Sequence, residues 1–158
     1  MATYNFKSVG KTQEQKVVEQ LESKKTPIGI KTPLQINESG QGEIFITYDN
    51  LIETTRDNLR NLILTNWGER VGLYDFGANL KPTMSELISD DDFDSKAIEK
   101  ISGAVSRWMP YISLENYAST ISHDKNDNSI AHINIKITYS IPVLEYTNGQ
   151  LEINLYAM

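Results

Sequence analysis

The sequence contains no cysteine, and that gap removes disulfide frameworks, thiolate metal sites and cysteine nucleophiles together. Histidine is nearly as scarce, with only His123 and His132. Without thiolates, zinc would need both histidines plus carboxylates, and neither histidine shows the i, i+4 helical spacing of ligands, so no metal site is expected. No apolar run approaches the roughly 18–20 residues of a membrane span. The start, Met1-Ala2-Thr3-Tyr4-Asn5-Phe6-Lys7, lacks the apolar stretch of a signal peptide. No membrane insertion is expected, and synthesis in a reducing cytoplasm suits the chain. Basic residues are outnumbered, 15 Lys and Arg against 21 Asp and Glu, which argues against nucleic-acid binding through clustered cations. P-loop and nucleophile-elbow patterns are also missing, so no cofactor and no catalytic residue is assigned.

What is present is enough for one domain: 158 residues, of which 39% are hydrophobic. Charge is unevenly divided. Residues 1–42 carry +2 and residues 43–158 carry −8 of the total of −6. The first part reads as an extended arm. Thr12–Lys25 can form a short helix, after which Pro27, Gly29, Pro33, Gly40 and Gly42 resist both helix and central strand. Isolated Ile28, Ile30, Leu34 and Ile36 suggest that the arm lies along a protein surface, since alone it cannot offset its chain entropy.

The body, 43–158, shows two periods in succession. Asp49 or Asn50 can cap a helix to about Thr65, with Ile52, Thr55, Leu59, Leu62 and Ile63 on one face. A glycine-punctuated loop runs from Asn66 to Pro82, and Thr83–Ile88 can add a turn or two. The acidic run Asp90–Asp94 then opens a second helix, whose stripe is Ala97, Ile98, Ile101, Ala104, Val105 and Trp108. Burying five such side chains stabilises by about 10 kcal/mol before entropy. After Pro110 the period becomes two. Ala131, Ile133, Ile135, Ile137, Tyr139 and Ile141 alternate with polar residues, as in a half-wet antiparallel strand. Ile112–Ser122 reads as a weaker strand before it. Asn148-Gly149 reads as a two-residue hairpin leading into Leu151, Ile153 and Leu155. The expected fold is α+β: two main helices packed on a three-stranded antiparallel meander sheet. The outer strands, through Ile112 and Leu114 and through Leu151, Ile153 and Leu155, would then be edges able to pair with a neighbour's strand.

Candidate chemistry is thin. The Asp90, Asp92, Asp94 spacing resembles a calcium loop, but the sixth position is Ser95 and the twelfth Ile101, so helix-end acidic residues explain it better. Asp75-Phe76-Gly77 spells a kinase triplet without any other kinase element. A glycosidase pair could be sought among Glu69, Asp75 and Glu86, although 21 acidic residues supply such pairs by chance.

One longer pattern is more specific. Asp57-Asn58-Leu59-Arg60-Asn61-Leu62-Ile63-Leu64-Thr65-Asn66-Trp67-Gly68-Glu69-Arg70 is followed by Tyr74-Asp75-Phe76-Gly77-Ala78-Asn79-Leu80, then by Trp108-Met109-Pro110-Tyr111. Over roughly residues 49–141 it resembles the lysozyme-like baseplate wedge family of contractile tails, typified by the phage W protein and related to type VI secretion baseplate components. Many members of that family carry Glu-Pro-Arg where Met109-Pro110-Tyr111 stands here, so no charged docking contact is transferred. The resemblance implies a non-enzymatic structural subunit in the virion, at the tail baseplate. It would bind other wedge proteins near the tail tube or hub and give the sheath subunit its first docking point. The lysozyme-like label implies the alternative, a glycoside hydrolase acting on peptidoglycan. Within the motif, Gly68 and Gly77 permit positive φ, Trp67 and Phe76 are expected in the domain's own core, and Arg70 is expected to brace the loop through carbonyls or carboxylates.

Overall fold

The change of period at Pro110 separates a helical part from a sheet in the computed structural model. It describes residues 26–38, 44–85, 90–123 and 131–157, and of 85, 90–92, 123, 131 and 157 the backbone only. The chain divides between Asn50 and Leu51 into two compact units. In the first, β1 (Gly29–Ile30) pairs antiparallel with β2 (Thr47–Tyr48), and an isolated bridge joins Ile36 to Phe45. The ladder is short, as the proline and glycine spacing requires. Residues 44–50 were expected with the body but group with the preceding segment, because their backbone partners lie there: Ile28 N–H donates to the Tyr48 carbonyl at 2.8 Å and Asn37 N–H to that of Ile44 at 2.9 Å. The helix expected over Thr12–Lys25 lies outside the described residues.

The second unit opens with α1 (Leu51–Leu64), which buries Thr55, Leu59, Leu62 and Ile63 at the expected three-and-four spacing. A short α2 (Lys81–Ser85) follows the loop. The long helix α3 (Asp90–Trp108) begins inside the acidic run. It buries Phe93, Ala97, Ile101, Ala104 and Val105, while Ile98, expected in the stripe, remains 44% exposed at its margin. These faces meet the inner side of a meander in the order β3 (Ser113–His123), β4 (Ala131–Ile141), β5 (Tyr146–Ala157). Ile133, Ile135, Ile137, Tyr139 and Ile141 of β4 are at most 2% exposed, so the central strand is the floor of the core. The α+β architecture of two main helices on a three-stranded meander is what the alternation of periods predicts.

β3 reads weakly in sequence for a structural reason. Its inward positions Tyr117, Ser119 and Ile121 lie opposite Ile137, Ile135 and Ile133, and two of the three are polar. They are satisfied from α3: Ser119 Oγ donates to Asp94 Oδ1, and the Tyr117 hydroxyl reaches the same oxygen at 3.4 Å. Asp94 therefore pins helix to sheet. The outer face is wet, with Asn134 donating to Glu152 and Asn154, both at 2.6 Å.

The Asn148-Gly149 hairpin is corrected. β4 and β5 are joined by a 3-10 turn at Pro142–Leu144, closed by Glu145 at φ 52°, and Asn148-Gly149 lies within β5. Pairing runs from Ile141↔Tyr146 to Tyr139↔Gly149, so Ser140 faces two residues, Thr147 and Asn148. This is a bulge, and Asn148 at φ 56° supplies the same left-handed backbone that a hairpin turn would need. A Cβ on Gly149 would stand 2.6 Å from Tyr146 Cε1 and 2.8 Å from Tyr139 Cζ, so the glycine makes room for two packed rings.

The Tyr139 ring is fully buried and its hydroxyl finds no hydrogen-bond partner among the described residues. An unsatisfied buried hydroxyl costs about 1–3 kcal/mol. Tyr139→Phe is therefore expected to raise the unfolding free energy by about 1 kcal/mol, measured by urea denaturation. Burial also pushes the Tyr139 phenol above its ordinary value, with the neighbouring Tyr146 adding to the shift, and it raises Tyr117 further, with Asp94 contributing. The folded state thus holds these protons longer than the unfolded chain. Stability should be insensitive to tyrosine ionisation well below pH 10 and fall once the pH climbs past the ordinary phenol value of about 10. A Tm that drops from about pH 10 upward, less steeply in Tyr139→Phe, is the expected result. A flat profile to pH 12 would contradict it.

Candidate docking surface

The loop after α1 carries most of the family-like residues, and it is fastened from below. Thr65 Oγ1 donates back to the Asn61 carbonyl at 2.6 Å, ending the helix. The chain then returns antiparallel to that end: Ala78 N–H donates to the Leu62 carbonyl at 3.1 Å and Asn79 N–H to that of Thr65 at 3.3 Å. Gly77, at φ +107°, allows this approach, since a Cβ there would lie 2.1 Å from the Thr65 carbonyl oxygen. Leu80 anchors the returning end at 2% exposure. From α3, Lys100 Nζ donates to the Asn79 carbonyl at 3.0 Å and to Thr83 Oγ1 at 2.6 Å.

The tip is braced as well. Both Glu69 carboxylate oxygens are held by Asn66, through its backbone N–H at 2.8 Å and its side-chain amide at 3.0 Å. Gly68 N–H donates to the Tyr74 carbonyl at 2.8 Å. Arg70 does brace the loop, but through a ring: its guanidinium sits 4.0 Å from the Phe76 centroid. Phe76 in turn packs on Trp108 at 5.2 Å, and Arg107 pairs with Asp75. The motif residues Arg70, Asp75, Phe76, Gly77 and Trp108 thus converge on one junction between the loop and the end of α3.

Trp67 departs from expectation. It is expected in the core but is 55% exposed, with its indole N–H satisfied by the Gly77 carbonyl at 3.2 Å, while Phe76 packs on Trp108 instead. Val71, Leu73 and Tyr74 are exposed beside it in sequence, Val71 fully and Tyr74 at 74%. The loop is internally braced yet apolar at its tip, unlike the usual polar surface loop. Just past that same end of α3, Met109 is buried, Pro110 and Tyr111 face solvent, and Ile112 N–H donates to the Met109 carbonyl, closing a turn. Ile112 is buried just ahead of β3 and Leu114 partly buried. Leu151 and Ile153 point into the core and Leu155 partly so. Among the described residues, β3 and β5 each pair on one side only.

Nothing in this geometry favours a glycosidase pair. The hydrogen bonds from Asn66 hold the Glu69 carboxyl below the usual carboxylate range, opposite to what a general acid requires. Asp75 is engaged by Arg107, and Glu86 lies outside the described residues. His132 stacks edge-on against Tyr156 at 4.9 Å, on the wet face of the sheet. Among the described residues no three His, Asp or Glu side chains gather into a metal-binding group.

Fold and surface together define a small α+β domain with a braced, apolar-tipped loop and, among the described residues, two outer strands paired on one side only. No family model and no curated protein matches the chain. Solved structures do share its fold. One is a protein described as a tail lysozyme, from Geobacter sulfurreducens, with TM-score 0.51 and 20% identity over 70% of this chain and 93% of that one. Another is a chain of the anti-feeding prophage (AFP) baseplate, resolved with six-fold symmetry, with TM-score 0.53 and 21% identity over 70% of this chain and 81% of that one.

Proposed function

We propose that the chain is a structural subunit of a contractile-tail baseplate, part of the wedge near the tail tube, where it binds larger wedge proteins and starts sheath assembly. The observation that carries this reading is the fold shared with the AFP baseplate chain over 81% of that chain's length. The exposed loop tip and the strand edges supply surfaces suited to the role. Virion tail baseplate is the corresponding location, and its partners are wedge, sheath, and tube or hub proteins. Residues 26–50, with their β1–β2 ladder, act as an arm that lies along a partner, and 51–158 form the wedge domain.

The competing reading is a peptidoglycan hydrolase, favoured by the description of the Geobacter protein as a tail lysozyme. The lowered Glu69 carboxyl and the Arg107–Asp75 pair argue against it. Deleting the gene is expected to abolish sheathed tails, and the purified protein, wild-type or carrying Glu69→Gln or Asp75→Asn, is expected to leave peptidoglycan intact. Normal tails after deletion would overturn the structural role. Clearing of peptidoglycan by the purified protein, lost in either carboxylate variant, would establish the hydrolase instead.

A further inference from the structure

The chain has only two tryptophans, Trp67 and Trp108, and both line one groove of about 360 Å³ between the loop and α3. Lys96, Glu99, Lys100, Gly103, Ala104 and Arg107, with Trp108 at the helix end, form its helical side. Those from Lys96 to Arg107 recur at intervals of three and four, so they make one stripe, about 16 Å long at the α-helical rise.

Gly103 is the telling residue. Glycine inside a helix weakens it relative to alanine, so its presence calls for a reason. The chain's own packing supplies none: a Cβ at 103 would meet nothing within 4 Å. The residue is exposed, and the space above it is open. What its bareness does is deepen the groove and permit close approach from outside.

Charge indicates what approaches. Three of the nine basic residues in 43–158, a segment with net charge −8, line this groove, against two carboxylates, Asp75 and Glu99. Arg107 is paired with Asp75 there and the lining sums to +1, so an acidic body turns weakly positive along an aromatic-walled cleft. Lys100 gives two of its three N–H donors to Asn79 and Thr83, which fixes its ammonium in place at the groove.

We propose that this groove docks an extended acidic segment of a partner protein. Such a segment spans the stripe with about five residues at the strand rise. One apolar side chain enters between Trp67 and Gly103, and flanking carboxylates meet Lys96 and Lys100. The proposal deepens the baseplate reading and rests on it for the partner, a tail protein. At about 0.15 M salt the screening length of about 8 Å leaves these close pairs intact while suppressing repulsion from the distant acidic surface.

The two tryptophans are the natural reporters. The full chain is titrated with the tryptophan-free peptide acetyl-Glu-Leu-Phe-Asp-Glu-amide while its intrinsic fluorescence is followed. Acetyl-Lys-Leu-Phe-Lys-Lys-amide and acetyl-Glu-Ser-Ser-Asp-Glu-amide serve as controls. A saturable shift with the first peptide alone is expected. Gly103→Leu should weaken it at least about tenfold by filling the approach. Gly103→Ala should weaken it less while raising Tm by about 3–6 °C, a combination that a purely structural glycine would not give. Should Gly103→Leu fail to fold, Lys96→Glu on the exposed helix surface replaces it, with the same loss expected. Equal binding of the lysine peptide, absence of a saturable shift, or undiminished binding by these variants would overturn the groove. Failure here with sheathed tails still lost on gene deletion removes the groove alone. Intact tails after deletion, with the acidic peptide still bound, removes the tail setting and keeps the groove.

Discussion

Gly77→Ala is expected to lower Tm by about 15 °C. Two costs combine. A φ of +107° lies beyond the left-handed region that asparagine or alanine can visit cheaply, and strain of this kind costs about 1–3 kcal/mol. The new methyl would also stand 2.1 Å from a backbone oxygen at Thr65, which cannot turn aside as a flexible side chain could. The loop must lift, and with it go the Ala78-to-Leu62 and Asn79-to-Thr65 hydrogen bonds, at 3.1 and 3.3 Å. A total near 3–4 kcal/mol is a large share of the 5–15 kcal/mol that holds a domain of this size together. Differential scanning calorimetry measures the outcome. A drop of less than about 3 °C, against the several degrees each kcal/mol should cost, would mean that the loop is not fastened as described. Gly72→Ala is the matched control: its φ is also positive, +82°, but a Cβ there would meet nothing within 4 Å, so only the strain remains.

The double substitution Val71→Asp with Tyr74→Asp tests the same loop from the other side. Both side chains are exposed, Val71 fully and Tyr74 at 74%, and although the Tyr74 ring lies against Gly68, the loop is held mainly by backbone and by Glu69, Arg70 and Phe76. Folding stability should stay within about 0.5–1 kcal/mol of wild type, as for surface changes generally. Assembly should not. If the tip seats in a partner, two carboxylates must be buried without counter-charges, and anchors of this type carry several kcal/mol of binding. A loss of about 100-fold or more in incorporation into tails is expected, scored by complementation of the deleted gene with equal expression of both proteins. Full complementation would remove the loop tip from the interface.

Much of the scaffold is legible in the residues because it depends on local period alone. α1, α3 and β4 each bury a face that repeats at 3.6 or 2, and no distant partner is needed to see it. What escapes is of another kind. Asn148-Gly149 announces a left-handed backbone, but a hairpin and a bulge ask for the same φ. Only the pairing of Ser140 against two residues distinguishes them. β3 looks weak because Tyr117 and Ser119 stand where apolar residues would, and their partner Asp94 lies on a helix more than twenty residues earlier. Trp67 illustrates the limit for loops. An aromatic there can plug the core or cover the surface, and here it is Phe76 that packs on Trp108. At the candidate docking surface, Arg70, Asp75, Phe76 and Gly77 stand in a motif visible in sequence, but the stacking of Arg70 on Phe76 does not show there. The ion pair of Arg107 with Asp75 joins residues that no local pattern links. Gly103 has no signal beyond its cost to the helix. It becomes meaningful only once the space above it is seen to be empty.

In the proposed role this chain works by being held among other proteins. A cryo-electron reconstruction of the assembled tail, made with the chain carrying a small C-terminal density tag, tests it most directly. The account predicts density for the domain in the baseplate, with the 67–74 tip or an outer strand of the meander, β3 or β5, covered by another polypeptide. A tail fully assembled without the domain, or with both strand edges and the loop tip facing solvent, would contradict it.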